Sequence, residues 1–309
     1  MRAAAELHEE CTMYRKILIA ADPKGLVAGA APAVAALAGP EGAQVRLLTV
    51  VAPGERGGPA PEAEEVLRRL SQELEARHLP VEVERRETAD EPVAEAIAAS
   101  ARAFEADLIV LGSHRRGDIA GFFVGSVGNA LASRVSTPIL VVSSGQAQPP
   151  AGLRHLLVAV DGGELAHQAV VTAAALAGPE TEVTALYVDN SAGGLGAYPL
   201  YVDPTPAEEE GSQALDDALE VLRGAGVHAS SQRTYALDGT AAAIARAADE
   251  LEADLIVLGS RRPGNIEALL LGSVTHGVIA RTRRTVLVAT GATQAPKTGN
   301  GHEASAEGR

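Results

Sequence analysis

The chain has no tryptophan, three phenylalanines and five tyrosines among its 309 residues. Its interior must therefore be built from Ala, Val, Leu and Ile, which suits helices packed closely on a sheet. A single cysteine, Cys11, excludes an intrachain disulfide, and no Cys/His spacing suggests zinc. Positive charge is scarce: 26 Lys and Arg against 40 Asp and Glu give a formal net charge of -14. Such a surface repels phosphate backbones and anionic membranes, so neither nucleic acid nor a membrane is an expected partner. A nucleotide remains admissible, because it needs only a local site. Uncharged stretches such as residues 25–39 are too short and too rich in Gly, Ala and Pro to span a bilayer. Nothing resembles a signal peptide, and a cytoplasmic location is the expectation by elimination.

What the chain does have is an internal repeat. Residues 105–113 read EADLIVLGS, and residues 252–260 read EADLIVLGS again, an offset of 147. At the same offset Gly125-Ser126-Val127 recurs as Gly272-Ser273-Val274, and Leu140 recurs as Leu287. Upstream, the run ending at Asp22 resembles the run ending at Asp161 at an offset of 139. An insertion of eight residues accounts for the difference, and the Gly-, Tyr- and Pro-containing stretch 189–206 is its expected place.

Each copy alternates strand and helix signals. In the first, strands are expected over 16–21, 44–51, 81–87, 107–111 and 138–142, with helices near 27–37, 62–76, 92–104 and 126–134. The second helix carries an apolar stripe of Val66, Leu67, Leu70 and Leu74. Residues 81–87 alternate apolar and charged side chains, as an edge strand does. The second copy repeats the order, with strands near 155–160, 182–188, 227–234, 254–258 and 285–288. Its second helix opens on Thr205-Pro206 with Glu208 in capping-box position and should stop at Gly224. Five strands alternating with helices imply a parallel sheet covered on both faces. The expected domains are residues 14–143 and 153–290, with disordered termini at 1–13 and 291–309.

In an open parallel sheet ligands bind beyond the carboxyl ends of the strands, where strand order reverses. Asp22 and Gly112 would meet there in the first copy, Asp161 and Gly259 in the second. Each loop after the fourth strand ends on Gly-Ser opening a helix, whose first N–H groups lack partners and suit an anion. Glycine admits a phosphate to the backbone, and Ser126 or Ser273 adds a hydroxyl. Arg115, Arg116, Arg261 and Arg262 place positive charge in these loops.

On these residues the chain resembles a tandem universal stress protein of the UspA-like type, over nearly everything from Tyr14 to Thr290. The resemblance implies an α/β fold class: two tandem Rossmann-like (adenine nucleotide alpha hydrolase-like) domains, each a five-stranded parallel sheet of order 3-2-1-4-5. It implies a stress-response role with ATP, or AMP or ADP, as a regulatory ligand, and magnesium as a companion ion. In ATP-binding members a Gly is followed by two residues, Gly, nine residues, then Gly and Ser or Thr. Gly112, Gly125 and Ser126 match, as do Gly259, Gly272 and Ser273, with Val127 and Val274 next. The family's base-contacting aspartate matches Asp22 and Asp161, and its adenine-touching backbone at the end of the second strand matches Val50 and Val188. The middle glycine falls on Arg115 and Arg262, so the loop either runs through Gly117 and Gly264 or uses an arginine on phosphate. Only the second copy keeps a Gly-rich turn after its aspartate, Asp161-Gly162-Gly163, which makes it the better expected site. The resemblance also implies that the last strands join the halves as a pseudo-dimer, with terminal strands or helices as a homodimer surface.

Plainer readings stand beside these. Gly112 and Gly259 could be tight turns, and Asp22 and Asp161 helix caps. His114 has Arg261 as its counterpart and reads as a loop histidine; Phe122 and Phe123 match Leu269 and Leu270 and read as packing. No phosphate loop of the Gly-x-x-x-x-Gly-Lys type and no Gly-x-Ser-x-Gly elbow is present. Binding is therefore expected over turnover. A nucleotide-free scaffold and a weak ATPase are the alternatives.

Overall fold

The computed structural model describes residues 14–21, 27, 29–39, 42–51, 61–88, 91–113, 127–143, 152–190, 205–259 and 272–289. In the first half these form β1 (Lys16–Ala21), α1 (Ala30–Leu37), β2 (Gln44–Val51), α2 (Pro61–Glu75), β3 (Val81–Glu87), α3 (Val93–Phe104), β4 (Leu108–Ser113), α4 (Asn129–Ala132) and β5 (Ile139–Ser143). In the second they form β6 (His155–Val160), α5 (Glu164–Leu176), β7 (Glu182–Asp189), α6 (Thr205–Gly224), β8 (His228–Tyr235), α7 (Thr240–Glu250), β9 (Leu255–Gly259), α8 (Ser273–Ile279) and β10 (Thr285–Ala289). The central strands are continuous apolar runs because both of their faces are covered. Of the α2 stripe, Leu67, Leu70 and Leu74 are buried. β3 is an edge strand as expected, but its burial does not follow the apolar and charged alternation: Val83 is 50% exposed, while Glu84 is half-buried and accepts from Ser100 at 2.6 Å.

The strands form a single ten-stranded sheet in the order β3-β2-β1-β4-β5-β10-β9-β6-β7-β8. Each half has the expected 3-2-1-4-5 order with parallel pairing throughout. The halves are not separate sheets, however. β5 pairs with β10 antiparallel, Val141 opposite Val286, Leu140 opposite Leu287 and Ile139 opposite Val288. Leu140 thus faces its own counterpart in the repeat, which marks the pseudo-two-fold axis. One apolar layer lies under α1, α2, α5 and α6, and the other under α3, α4, α7 and α8. Each layer runs unbroken through both halves.

Several boundaries shift from expectation, most of them by a residue or so. β4 does not end before Gly112; it continues to Ser113, because Gly112 and Ser113 pair with Val142 and Ser143. The helix expected over 126–134 is only the four residues of α4, preceded by a wide turn at Val127 and Gly128. α6 does end at Gly224, but the left-handed residue that turns the chain is Gly226, at φ 76. The capping side chains of α6, the linker at 144–151 and the termini 1–13 and 291–309 lie outside the described residues.

The repeated EADLIVLGS owes most of its residues to this architecture. Glu105 and Glu252 take φ of 56 and 50 where α3 and α7 end. The Asp107 carboxylate accepts the backbone N–H groups of Arg15 (2.8 Å) and Lys16 (3.0 Å), and so holds the start of β1. Asp254 does the same for β6, accepting from Arg154 (2.8 Å) and His155 (3.0 Å). Burial pushes the Asp107 carboxyl above its ordinary range, and the N–H groups of Arg15 and Lys16 pull it partly back. The four apolar residues that follow are buried in β4 and β9. Asp254→Ala should lower the unfolding free energy by about 1–3 kcal/mol, because two half-buried N–H groups lose their acceptor. Urea unfolding checks this, and a change below the error of the fit would refute the clamp.

Candidate functional site

Strand order reverses between β1 and β4 in the first half and between β6 and β9 in the second, which opens a crevice at the carboxyl ends of those strands. In the second half the crevice is described on three sides. β6 ends at Val160, and Asp161 follows on the exposed rim. Gly162 takes φ 75, and Gly163 is the N-cap of α5. The Asp161 carboxylate accepts the Gly163 N–H at 3.0 Å, a turn that leads into α5 and not a cap on it, since Gly163 is the N-cap and no side chain caps the helix.

Val188 supplies the second side. Its side chain is buried, and its backbone direction follows from its neighbour. The Ala236 N–H donates to the Asp189 carbonyl at 2.9 Å, so Asp189 turns toward β8. Successive residues of a parallel strand address opposite neighbours, so Val188 turns toward β6. β6 pairs only as far as Val160 opposite Tyr187, a last pair in which the Val160 carbonyl takes the Val188 N–H, and the Val188 carbonyl therefore faces the crevice. Val50 is arranged alike: the Thr88 N–H bonds the Val51 carbonyl at 3.0 Å, and β1 pairs only as far as Ala21 opposite Thr49.

The third side is the start of α8. Gly272 is its N-cap, with φ -50 and ψ 151, and the His276 N–H donates back to the Gly272 carbonyl at 2.9 Å. The N–H groups of Ser273, Val274 and Thr275 lie in the first turn, where a helix leaves them without partners of its own. Val274 is 38% exposed.

The two glycines of this crevice are glycine for different reasons. A Cβ on Gly259 would meet the Leu165 carbonyl oxygen and carbon and, at 3.1 Å, the Ala166 nitrogen. The first turn of α5 lies directly on the end of β9, and no side chain fits between them. Gly259 is thus required by helix–strand packing, not by a tight turn, since its pairing with Ala289 keeps it inside the strand. A Cβ on Gly272 would meet no described atom within 4 Å.

The structure adds residues that the motif did not indicate. Beside the crevice, on the α5 and α6 side, the Asp189 carboxylate is 3% exposed and takes an ion pair from Arg233 at 2.8 Å. The Arg233 guanidinium also lies 5.4 Å from the centroid of the Tyr187 ring. That ring packs so tightly on α6 that a Cβ at Gly211 would stand 2.7 Å from it. Burial pushes the Tyr187 phenol above its ordinary range, with Asp189 adding to the effect and Arg233 opposing it. In the first half Thr49 and Arg85 hold the places of Tyr187 and Arg233, and Arg85 pairs instead with Glu64 at 3.1 Å. Gly211 inside an otherwise good helix was the legible clue.

Of the remaining expected residues, Gly112 is buried within β4 and Val127 is half-buried in the turn before α4. Asp22, His114, Arg115, Arg116, Gly117, Phe122, Phe123, Gly125, Ser126, Arg261, Arg262 and Gly264 lie outside the described residues. Among the described residues, no helix is long and apolar enough to cross a membrane, and no group of three or more His, Cys, Asp or Glu could hold a metal.

A doubly wound α/β sheet with a crevice at each switch point defines a Rossmann-like protein of two halves. The chain belongs to the universal stress protein family, whose model matches residues 13–143 and again 152–290. It is 28% identical over 190 residues to universal stress proteins of Mycobacterium tuberculosis and Mycobacterium bovis, covering 60% of this chain and 62% of each relative. Solved structures of similar fold include a universal stress protein from Archaeoglobus fulgidus, with TM-score 0.63 and 18% identity over 88% of this chain and 98% of that one. Another is a functionally unknown protein from Pseudomonas aeruginosa, with TM-score 0.57 and 18% identity over 91% and 94%.

Gly259→Ala should cost about 1–3 kcal/mol of stability by forcing α5 off the sheet, whereas Gly272→Ala should stay within about 0.5 kcal/mol of wild type. Parallel urea titrations measure both. Equal losses would show that the two glycines do the same work.

Proposed function

We propose that this protein binds ATP, or AMP or ADP, as a regulatory ligand in the crevice of its second half, and that binding alters its conformation or partner choice in a stress response. The supporting observation is convergence. An exposed carboxylate, a strand carbonyl with no neighbouring strand beyond it and the N-terminus of a helix all lie on the carboxyl-end side of one switch point. In this reading Asp161 and the Val188 carbonyl hold the base through its amino group. Gly259, Gly272, Ser273 and the Val274 amide take the ribose and phosphates, with Arg262 and Gly264 completing the loop. The open space at Gly272 fits this reading, because nothing described in the protein itself demands glycine there. Magnesium enters only as a companion of the phosphates. The first half would use Asp22, Val50, Gly112, Arg115, Gly117, Gly125, Ser126 and Val127 in the same way. Residues 14–143 and 153–290 are proposed as the two domains.

A second reading is a nucleotide-free scaffold. It is favoured by the structural work that Asp161 and Gly259 already do, since turn formation and packing would preserve both without a ligand. Calorimetric titration of the purified chain with ATP and with AMP separates the two. Saturable binding is expected, weakened at least about tenfold, or about 1.4 kcal/mol, in Gly272→Glu, whose carboxylate would occupy the phosphate position at the helix start. Because a side chain fits at Gly272, this variant is a cleaner control than any substitution at Gly259. No saturable binding by wild type would leave the scaffold.

A further inference from the structure

The antiparallel pairing at the centre of the sheet has a consequence for how two chains can meet. β5 is flanked by β4 and β10, and β10 by β5 and β9, so neither has an edge to offer a second copy. The expected homodimer through these terminal strands is thus corrected, because their edges are consumed within the chain. The sheet's outer strands are β3 and β8, and their edges are built in opposite ways. β3 reads VEVERRE, with five charged residues in seven, the usual guard against edge-to-edge pairing. β8 reads HASSQRTY, eight residues with neither proline nor lysine, no acidic residue and one arginine. That arginine, Arg233, turns its guanidinium inward to Asp189. Two of the large exposed apolar side chains stand at the end of the same edge, Tyr235 at 51% and Leu237 at 73% exposure.

We propose that the β8 edge is a self-association surface, where two copies of this chain pair β8 antiparallel to β8 about a two-fold axis at Gln232. The register follows from the backbone. The Ala236 N–H bonds inward to Asp189, so the even-numbered residues of β8 address β7 and Ala229, Ser231, Arg233 and Tyr235 turn their backbone groups outward. An antiparallel two-fold pair must set outward-turned residues against one another. The axis at Gln232 does so over the whole strand: Ala229 lies opposite Tyr235 of the partner subunit, and Ser231 opposite Arg233 of the partner subunit. Tyr235 contributes its N–H, since its carbonyl already accepts from Leu237 at 3.0 Å. Gln232 is half-buried and meets its own copy, where two amides can donate to and accept from each other. The exposed Tyr235 and Leu237 stand at both ends of the contact by symmetry. No like charges face each other.

β3 fails the same operation. The Thr88 N–H bonds inward to Val51, so the corresponding axes through the middle of β3 set Glu84 on Glu84 or Arg85 on Arg85. A β8-to-β3 contact would be heterologous and would propagate into a filament, whereas the β8 two-fold closes at two copies.

Charge reversal on the axis tests this with the full chain. Sedimentation equilibrium should show a dimer for wild type. Gln232→Glu and Gln232→Lys should each be monomeric, and an equimolar mixture of the two should recover the dimer. In a Cys11→Ser background, Gln232→Cys should form an intersubunit disulfide on oxidation, because residues on such an axis lie about 4.5 Å apart between Cα atoms. Circular dichroism of all variants should match wild type. A monomeric wild type, a dimer indifferent to both charged variants, or singles that stay monomeric when mixed would each overturn the proposal.

Discussion

The antiparallel pairing of β5 with β10 is the contact on which the rest of the arrangement depends. Each half alone would be an open five-stranded sheet with its last strand exposed along one side. Joining the two last strands removes both edges and carries the apolar layers through the seam. Leu140 and Leu287 are fully buried on one face of the seam, and Ile139 and Val288 on the other. At about 1.5–3 kcal/mol for each large apolar side chain buried, these four contribute enough to make the halves interdependent. The same contact explains why β3 and β8 are the only outer strands of the sheet and why their differing charge matters.

The duplicated nine-residue segment was the clearest signal in the chain, and its structural meaning differs from its apparent one. It lies where a nucleotide loop begins, and suggests a ligand. Most of it serves the fold instead. A glutamate takes the left-handed position after a helix, an aspartate clamps the first strand, four apolar residues fill the sheet, and a glycine yields to a neighbouring helix. Identity over nine positions reflects how many constraints converge on that segment. The residues with room for a ligand are downstream, at Gly272 and the first turn of α8, where the protein's own packing demands little.

The fold was legible because its signals are local and repeated. Strand runs such as KILIAA and LIVLG, the α2 stripe and the duplication itself need no knowledge of neighbours. The crevice was legible in part, through Asp161 and the Gly-Ser pair. The Asp189–Arg233–Tyr187 cluster was not, because its members come from two strands that sequence alone does not align, and the only hint was Gly211 within a helix. The inward turn of the Val188 carbonyl was equally hidden, since it depends on where β6 stops relative to β7.

By itself the sequence determined two copies of one α/β unit and the location of the loops after the first and fourth strands, while the strand order was only implied by the family resemblance. The copies and the loops follow from periodicity and duplication, which are properties of the chain read in order. Tertiary structure alone decided the antiparallel register in which the expected joining of the last strands occurs, and that Gly259 is glycine because α5 lies on it while Gly272 is free to be otherwise. It also decided that β8, and not β5 or β10, is left with an edge. Each of these depends on distances between segments roughly a hundred residues apart, and no local pattern encodes a distance.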